Sequence, residues 1–399
     1  MNILMVNPTH PATPHISAVR AWRFAQCLAG FGHRVVLLTG DRGAANTVLP
    51  SSADHAWREP LVLACHMGAS PRGAHLPSVA RKAKTAWRML TRGGAEAEWV
   101  RAAEAAAKAL APVFVPDVLW TTFGQMEAVI VTRRVARRIQ KPWVLDIKDN
   151  WELYVPRGLR RLMAWRVRGF GASTSNAERT RELAEKWLGT DARVIYSGVD
   201  DCYFAPSHVP ATDRFVINLV GSLYFPDLLE GLLRGIRVWY VQLTAGQQSR
   251  VCLRHIGAQG DLVHELCART VPGLAVEAPG YVSPSEMARL CQQAGINVYI
   301  HHSANFHHKL LELLACNRPV MAFPGESRES IDLAATAGAT FFVPSTPNEV
   351  AGTFEVLSRS FFELRPPAPS PAAAQLTCYA WANQTRQLET VLAETGKKL

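Results

Sequence analysis

Lys309 and Glu312 stand three residues apart in Asn305-Phe-His-His-Lys-Leu-Leu-Glu-Leu-Leu-Ala-Cys-Asn317, just ahead of Arg318-Pro-Val-Met-Ala-Phe323. That spacing puts a cation and a carboxylate on one face of a helix. Asn305 is a good N-cap residue and Asn317 tolerates the left-handed C-cap conformation, so a helix is expected between them. Leu310, Leu311, Leu313 and Leu314 would form its buried surface, and Pro319–Phe323 reads as the next buried strand. A helix N-terminus suits a diphosphate, a lysine there adds charge, and a carboxylate one turn on can accept both hydroxyls of a ribose. The plainer alternative is an amphipathic helix with a surface ion pair.

A second charged cluster is Pro142-Trp-Val-Leu-Asp146-Ile-Lys148-Asp149-Asn-Trp151-Glu. A strand that ends in charge and an indole belongs at the active edge of a sheet. Asp149 is the residue expected nearest a reacting acceptor, as base or orienting group; the alternative is that it caps the following helix. The loop Pro8–Ser17, at the carboxyl end of a first strand, carries His10 and His15. Open parallel sheets bind ligands at that edge, so His10 is a candidate general base or polar contact. Gly221-Ser222 ends another strand with residues small enough for backbone to approach a phosphate.

The elements that must position these groups follow a β-α-β order. Ile3–Val6, a helix over Ala18–Phe31 closed by Gly32, and Val35–Leu38 open one parallel sheet. Leu61–Ala64, Asp117–Thr121, a helix over about 125–139, and Gly171–Thr174 continue it, with Ser175-Asn-Ala-Glu178 reading as a capping box. Residues 205–213 are a polar, Pro-bearing linker, and Phe215–Val220 starts a second sheet. Pro366–Pro371 is a stiff connector before a final helix over Tyr379–Glu394.

A chain of 399 residues has room for two or three domains. Its apolar runs fall far short of the roughly 20 residues of a membrane span. The N-terminus lacks a basic, apolar leader pattern, and eight scattered cysteines with no C-x-x-C pair read as reduced core thiols. A cytoplasmic location is therefore expected. His301-His302 and His307-His308 lack zinc-type spacing, and no Asp-x-Asp pair occurs, so no metal is expected. Residues 1–200 hold 28 Lys and Arg against 16 Asp and Glu, whereas the remainder has 15 against 17. A basic first half favours an anionic membrane surface, a phosphorylated acceptor or a nucleic acid. Nothing resembles an RNA- or DNA-binding module, which sets nucleic acid aside. Val79–Arg92, with Trp87, and Leu159–Arg168, with Trp165, read either as solvated helix faces or as interfacial helices resting on anionic lipid.

The order Lys309-x-x-Glu-x-Leu-Ala-x-x-Arg-Pro-Val resembles the nucleotide-sugar helix of bacterial glycosyltransferases related to family 4. Asp146-x-Lys-Asp149-x-Trp151 is similar to that family's Asp-x-Arg-Asp-x-Trp segment, with Lys148 in place of the Arg. Val194–Pro206 and Val276–Glu286 resemble its domain-closing and base-side segments. The resemblance implies an α/β protein of the GT-B fold: two doubly wound Rossmann-like domains facing a cleft, with a C-terminal helix crossing back to the first. The implied boundaries are an acceptor domain over 1–204, the linker 205–213, a donor domain over 214–375 and the crossover helix 376–399. It implies metal-independent transfer of a hexose-like sugar, with retention, to a sugar or lipid-linked acceptor on the inner face of the membrane, in glycan synthesis. It places the donor ribose on Glu312 and the diphosphate at Lys309, with Tyr281 and Val282 beside the base and Asp149 nearest the acceptor; His308, Gly221, Ser222, Glu326 and Ser327 are the further donor contacts read from the residues, and His10, with Lys309, the further candidate for the chemistry. The nucleotide-sugar is a substrate, and no cofactor is implied. Two departures stand out: Ala304 occupies the position of a second glutamate that touches the donor sugar, and Ser222 that of an arginine. Rival readings are a nucleotide-sugar epimerase of the same fold and a non-catalytic nucleotide-sugar-binding relative.

Overall fold

The computed structural model describes residues 1–13, 15–41, 57–67, 87, 96–124, 126–205, 213–302, 306–363 and 372–397. They divide into two compact units, Met1–Gly198 with Trp381–Leu399, and Val199–Ala380.

In the first unit, β1 (Asn2–Val6), β2 (Arg34–Gly40), β3 (Leu61–Cys65), β4 (Val118–Phe123), β5 (Trp143–Ile147), β6 (Ala172–Ser175) and β7 (Arg193–Val194) form a parallel sheet ordered β3-β2-β1-β4-β5-β6-β7. Val118–Phe123 and Trp143–Ile147 are buried along their whole length, because helices cover both faces. On one face α1 (Ile16–Gly30) and the C-terminal helix Trp381–Gly396 meet the sheet through Phe24, Leu28, Trp120, Val144, Trp381 and Leu392. The last helix thus returns to the first unit. On the other face α2 (Ala97–Leu110) and α3 (Met126–Ile139) enclose Trp99, Leu119, Phe123 and Val129. Beyond β5 come α4 (Trp151–Tyr154), α5 (Arg160–Arg166) and α6 (Glu178–Leu188).

A wholly buried charged pair lies inside this unit. Arg20 on α1 grips Asp146 on β5 through two hydrogen bonds of 2.9 and 2.7 Å, and both side chains are wholly buried. Thr174 donates to the same carboxylate at 2.7 Å, and Arg20 also reaches the carbonyl of Ile195 at 2.9 Å. Buried charges survive only when every donor and acceptor is so occupied. The network ties α1 to the strand end that carries Lys148 and Asp149.

In the second unit, β8 (Phe215–Val220), β9 (Val251–Ile256), β10 (Ala275–Glu277), β11 (Ile296–Ile300), β12 (Val320–Phe323) and β13 (Phe341–Phe342) form a parallel sheet ordered β10-β9-β8-β11-β12-β13. Its helices include α7 (Pro226–Tyr240), α8 (Gly260–Thr270), α9 (Pro284–Gln293), α10 (Lys309–Ala315), α11 (Arg328–Thr336) and α12 (Pro347–Phe362). In both sheets the winding reverses beside the first strand, between β1 and β4 and between β8 and β11. Those switch points are where such folds open a crevice for ligand.

Four expectations change. Val199–Phe204, read as closing the first domain, belongs to the second unit, where Gln292 holds the carbonyls of Tyr203 and Ala205. That unit continues to Ala380, so the residues from 376 to 380 join it and the returning helix begins at Trp381. The helix after β6 starts at Glu178 behind Ala177 with no side-chain cap, so the Ser175 box is not made. The anchor helix is a short one beginning at Lys309, four residues past the expected cap; Asn305 itself lies outside the described residues. Its other end is as expected, with Asn317 in the left-handed region at φ 59°. The linker's 206–212, the connector 366–371 and most of 79–95 also lie outside the described residues.

Candidate functional site

The donor-side candidates gather at the carboxyl ends of β8, β11 and β12. Val220 ends β8, and the chain turns at Gly221 with φ +97°, a conformation that side chains disfavour. Space is the second reason for glycine: a Cβ there would lie 2.1 Å from Lys309 Nζ. The ammonium is threaded against this turn and donates to the Val220 carbonyl at 3.2 Å. Crowding by protein lowers its pKa to about 8, with the Glu312 carboxylate opposing the shift. The amine sits 5.8 Å from the centre of the Tyr299 ring. Gln259 braces the same turn by accepting from Leu223 N at 3.2 Å.

Glu312 lies one turn along α10, half-buried, with His308 Nε2 3.2 Å from its carboxylate. The thiol of Cys316 donates to the Glu312 carbonyl at 3.3 Å and helps hold the turn. Lys309, Glu312, His308, Gly221 and Ser222 therefore share one edge of the sheet. Tyr281 and Val282 follow β10 at the same carboxyl edge, two strands from β8, with the Tyr281 ring largely exposed.

Glu326 and Ser327 follow β12; the Glu326 side chain turns inward, while Ser327 is exposed. The Ser327 hydroxyl caps α11 by accepting from Ser330 N at 3.2 Å. The Glu326 side chain has no solvent exposure; it accepts from Tyr299 Oη at 2.5 Å and from Ser327 N at 2.6 Å, and lies 3.0 Å from His301 Nδ1. Burial alone would raise this carboxyl. The donors from His301, Tyr299 and Ser327 outweigh it and hold the group well below the usual carboxylate range. Burial, then the Lys309 charge, pushes His307 down. Burial, then His301 and Lys309, does the same to His302. His255, wholly buried on β9, has Nδ1 3.1 Å from the Leu219 carbonyl. None of Tyr299, His301 or His255 has a motif to announce it. Their only signal was position, in strands leading to a charged helix or beside a glycine turn.

In the first unit, Asp149 lies at the end of β5 with Lys148 Nζ donating to its Oδ1 at 2.7 Å; both are largely buried. Its Oδ2 occupies the space beside Gly124, where a Cβ would come within 2.5 Å. The next helix is capped by Asn150, whose side chain accepts from Glu152 N at 2.9 Å. The capping alternative for Asp149 therefore falls away. His10 is turned into its own loop, with Nδ1 accepting from Ala12 N at 3.1 Å. His15, not His10, is the histidine coupled to this charge pair: burial, then Lys148, lowers its pKa, and Asp149 opposes them. Its Nδ1 accepts from Ser17 N and caps α1, which fixes the ring. Among the described residues no group of three or more His, Cys, Asp or Glu has the arrangement to hold a metal ion.

Two doubly wound parallel sheets with a returning C-terminal helix define the GT-B fold, and solved structures agree. Anabaena Alr3699/HepE in complex with UDP-glucose matches with TM-score 0.66 at 13% identity, over 99% of this chain and 100% of that one. The sucrose-phosphate synthase of Thermosynechococcus elongatus matches with TM-score 0.66 at 12% identity, over 98% of each chain. A Listeria monocytogenes protein assigned as a UDP-N-acetylglucosamine 2-epimerase matches with TM-score 0.58 at 10% identity, over 100% and 97%. No family model and no curated relative matches the chain.

Proposed function

We propose that the protein is a glycosyltransferase that moves a sugar from a nucleotide-sugar to an acceptor without a metal ion. The observation that carries this reading is Lys309: an amine crowded by protein, held against the Gly221 turn, with Glu312 one turn away. A diphosphate at that turn would meet the ammonium and backbone N–H groups, which can take the charge of the leaving group. A GT-B neighbour holding UDP-glucose supports a nucleotide-sugar as the donor. Family resemblance supports retention of configuration and a hexose-like sugar, and the Lys148–Asp149 pair supports an acceptor hydroxyl oriented by Asp149. The fold is shared with a neighbour assigned as an epimerase, so incubation with nucleotide-sugar alone, watching for an epimer, separates the two activities.

A screen of nucleotide-sugars by thermal unfolding tests the reading. A ligand at 100 times its dissociation constant adds about 2.7 kcal/mol of stability, and one donor class should stand out by that measure. Glu312→Ala should weaken that donor by about 1.5–3 kcal/mol through loss of a charged acceptor to ribose hydroxyls. Unchanged affinity in a folded variant would remove Glu312 from the site.

The acceptor side of the proposal includes an anionic membrane surface. Trp165 is 63% exposed and Leu162 is exposed beside it on α5. Arg133 is depressed by burial and then by Arg137, Arg134 and Arg166, which marks a dense basic patch. Exposed aromatics and arginines suit an anionic interface, each basic side chain contributing about 1 kcal/mol near the surface. No described helix is long and apolar enough to cross a membrane. Arg160 turns inward to Glu152 and the Val155 carbonyl, so it is left out of the test. The protein should sediment with phosphatidylserine-containing vesicles at low salt, less so as salt rises, and Arg137→Glu with Arg161→Glu should weaken it. Equal recovery in the supernatant with anionic and neutral vesicles would remove the membrane from this reading.

A further inference from the structure

Glu326 is a carboxylate without solvent exposure, an arrangement that is costly unless it has a task. Tyr299 Oη and Ser327 N hydrogen bond its two oxygens, and His301 Nδ1 lies 3.0 Å from Oε2 at an angle short of a good hydrogen bond. The carboxylate therefore cannot reach a ligand without surrendering these donors. It can, however, hold the imidazole. A ring with Nδ1–H directed to a carboxylate is fixed in orientation, and it presents Nε2 to whatever lies beyond, as an acceptor when the ring is neutral and as an N–H donor when both nitrogens carry a proton. Among the described residues His301 Nδ1 has no partner of full hydrogen-bond geometry, and Glu326 is the acceptor nearest to it.

The surroundings place that ring beside the diphosphate side of the donor site. His301 is the first residue after β11, and its backbone N–H pairs with the Phe323 carbonyl at the end of β12. The Tyr299 ring is a spacer. Lys309 Nζ lies 5.8 Å from its centre, while its hydroxyl holds Glu326, so the aromatic body keeps ammonium and carboxylate from closing into an ion pair. The charge on Lys309 thus remains available to an anion. His307 packs against Tyr299, His301 and His302, with ring centres 5.6, 5.2 and 4.9 Å away, and closes the other side.

We propose that Glu326 acts through His301, orienting its Nε2–H as a hydrogen-bond donor to the phosphate-linked end of the nucleotide donor, beside Lys309. Glu326 is then a positioning residue, and His301 supplies directional donation where Ser222 offers no positive charge. The imidazole itself transfers no proton. As the anomeric carbon exchanges its bond to the phosphate oxygen for one to the acceptor oxygen, the electron pair of the broken bond stays on the phosphate oxygen, the acceptor hydroxyl releases its proton on the acceptor side, and the imidazole hydrogen bond to the phosphate oxygen strengthens. This inference rests on the donor-site reading above.

The experiment measures calorimetric binding of UDP, GDP, ADP and dTDP to the full chain, as single variants and as a double-mutant cycle. His301→Ala should weaken the preferred nucleotide at least tenfold, and His301→Gln, which keeps a donor of similar reach, should recover part of the loss. Glu326→Gln should cost about as much as His301→Ala in the wild type and almost nothing in the His301→Ala background. Thermal unfolding identifies a misfolded Glu326→Gln, and Tyr299→Phe then serves as the second probe of Glu326, with the same expected dependence on His301. Additive losses, or unchanged binding in folded His301→Ala, overturn the inference. If Glu312→Ala weakens binding while the His301 series does not, only this inference fails. If no nucleoside diphosphate binds the wild type, the donor-site reading fails and takes this one with it.

Discussion

Lys309→Ala is expected to lower turnover by about a hundred- to a thousandfold, the loss of about 2.7–4 kcal/mol seen when one preorganised stabiliser of developing charge is removed. The ammonium is already in place at the Gly221 turn, so it needs no reorganisation as the diphosphate departs. Turnover should therefore suffer more than donor affinity. Arginine should not rescue, because the guanidinium is larger than the space left where a Cβ at Gly221 would already lie 2.1 Å from Nζ. The pH dependence has a definite sign. The free enzyme's amine has its pKa lowered to about 8, chiefly by burial, so it carries charge below that value and loses it above. Donor capture, read as kcat/KM, should fall as pH rises through about 8, and a bound diphosphate should move the break upward in kcat. A variant that lost only binding, with turnover at saturation intact, would end the leaving-group role.

Asp149→Asn is expected to cut transfer by about a hundred- to ten-thousandfold, the range for a group that handles or orients a reacting proton, and to leave donor affinity unchanged. Asp149 is on the first unit, whereas Lys309 and Glu312 are on the second, which is why the two effects should separate. Gly124→Ala should reproduce the defect, since a methyl there would meet Asp149 Oδ2 at 2.5 Å. The measurement is transfer of radiolabelled donor sugar into lipid and glycan fractions, set beside donor binding by calorimetry. Near-normal transfer by Asp149→Asn would leave that carboxylate as a partner for Lys148 and nothing more.

Much of the scaffold was legible in the chain. Period and run length marked the strands because a parallel sheet covered on both faces needs continuous apolar segments, as in Val118–Phe123 and Trp143–Ile147. Asn317 announced its left-handed turn through residue type alone. Local chemistry left open or misassigned the caps where two candidates compete within a few residues. Asn150, not Asp149, caps the helix after β5, and Ser175 makes no box, because strand β6 already claims it through Ser175. Val199–Phe204 read as the end of one domain, but the contacts that assign it, through Gln292, come from about ninety residues further along.

By itself, the sequence determined the two-sheet α/β architecture, the charge asymmetry between its halves, and the pairing of a lysine with a glutamate one helical turn apart. These depend on residue type, period and spacing, which are local properties. Only the tertiary structure decided which way the charges face. Arg20 and Asp146 are 126 positions apart and became a buried structural pair; Glu326 turned inward to Tyr299 and His301; Lys309 lodged against Gly221, 88 positions away. The reason is desolvation: inside a packed unit a charge must find its partners among whatever side chains the strand order delivers to it, and that order is not written in any one segment.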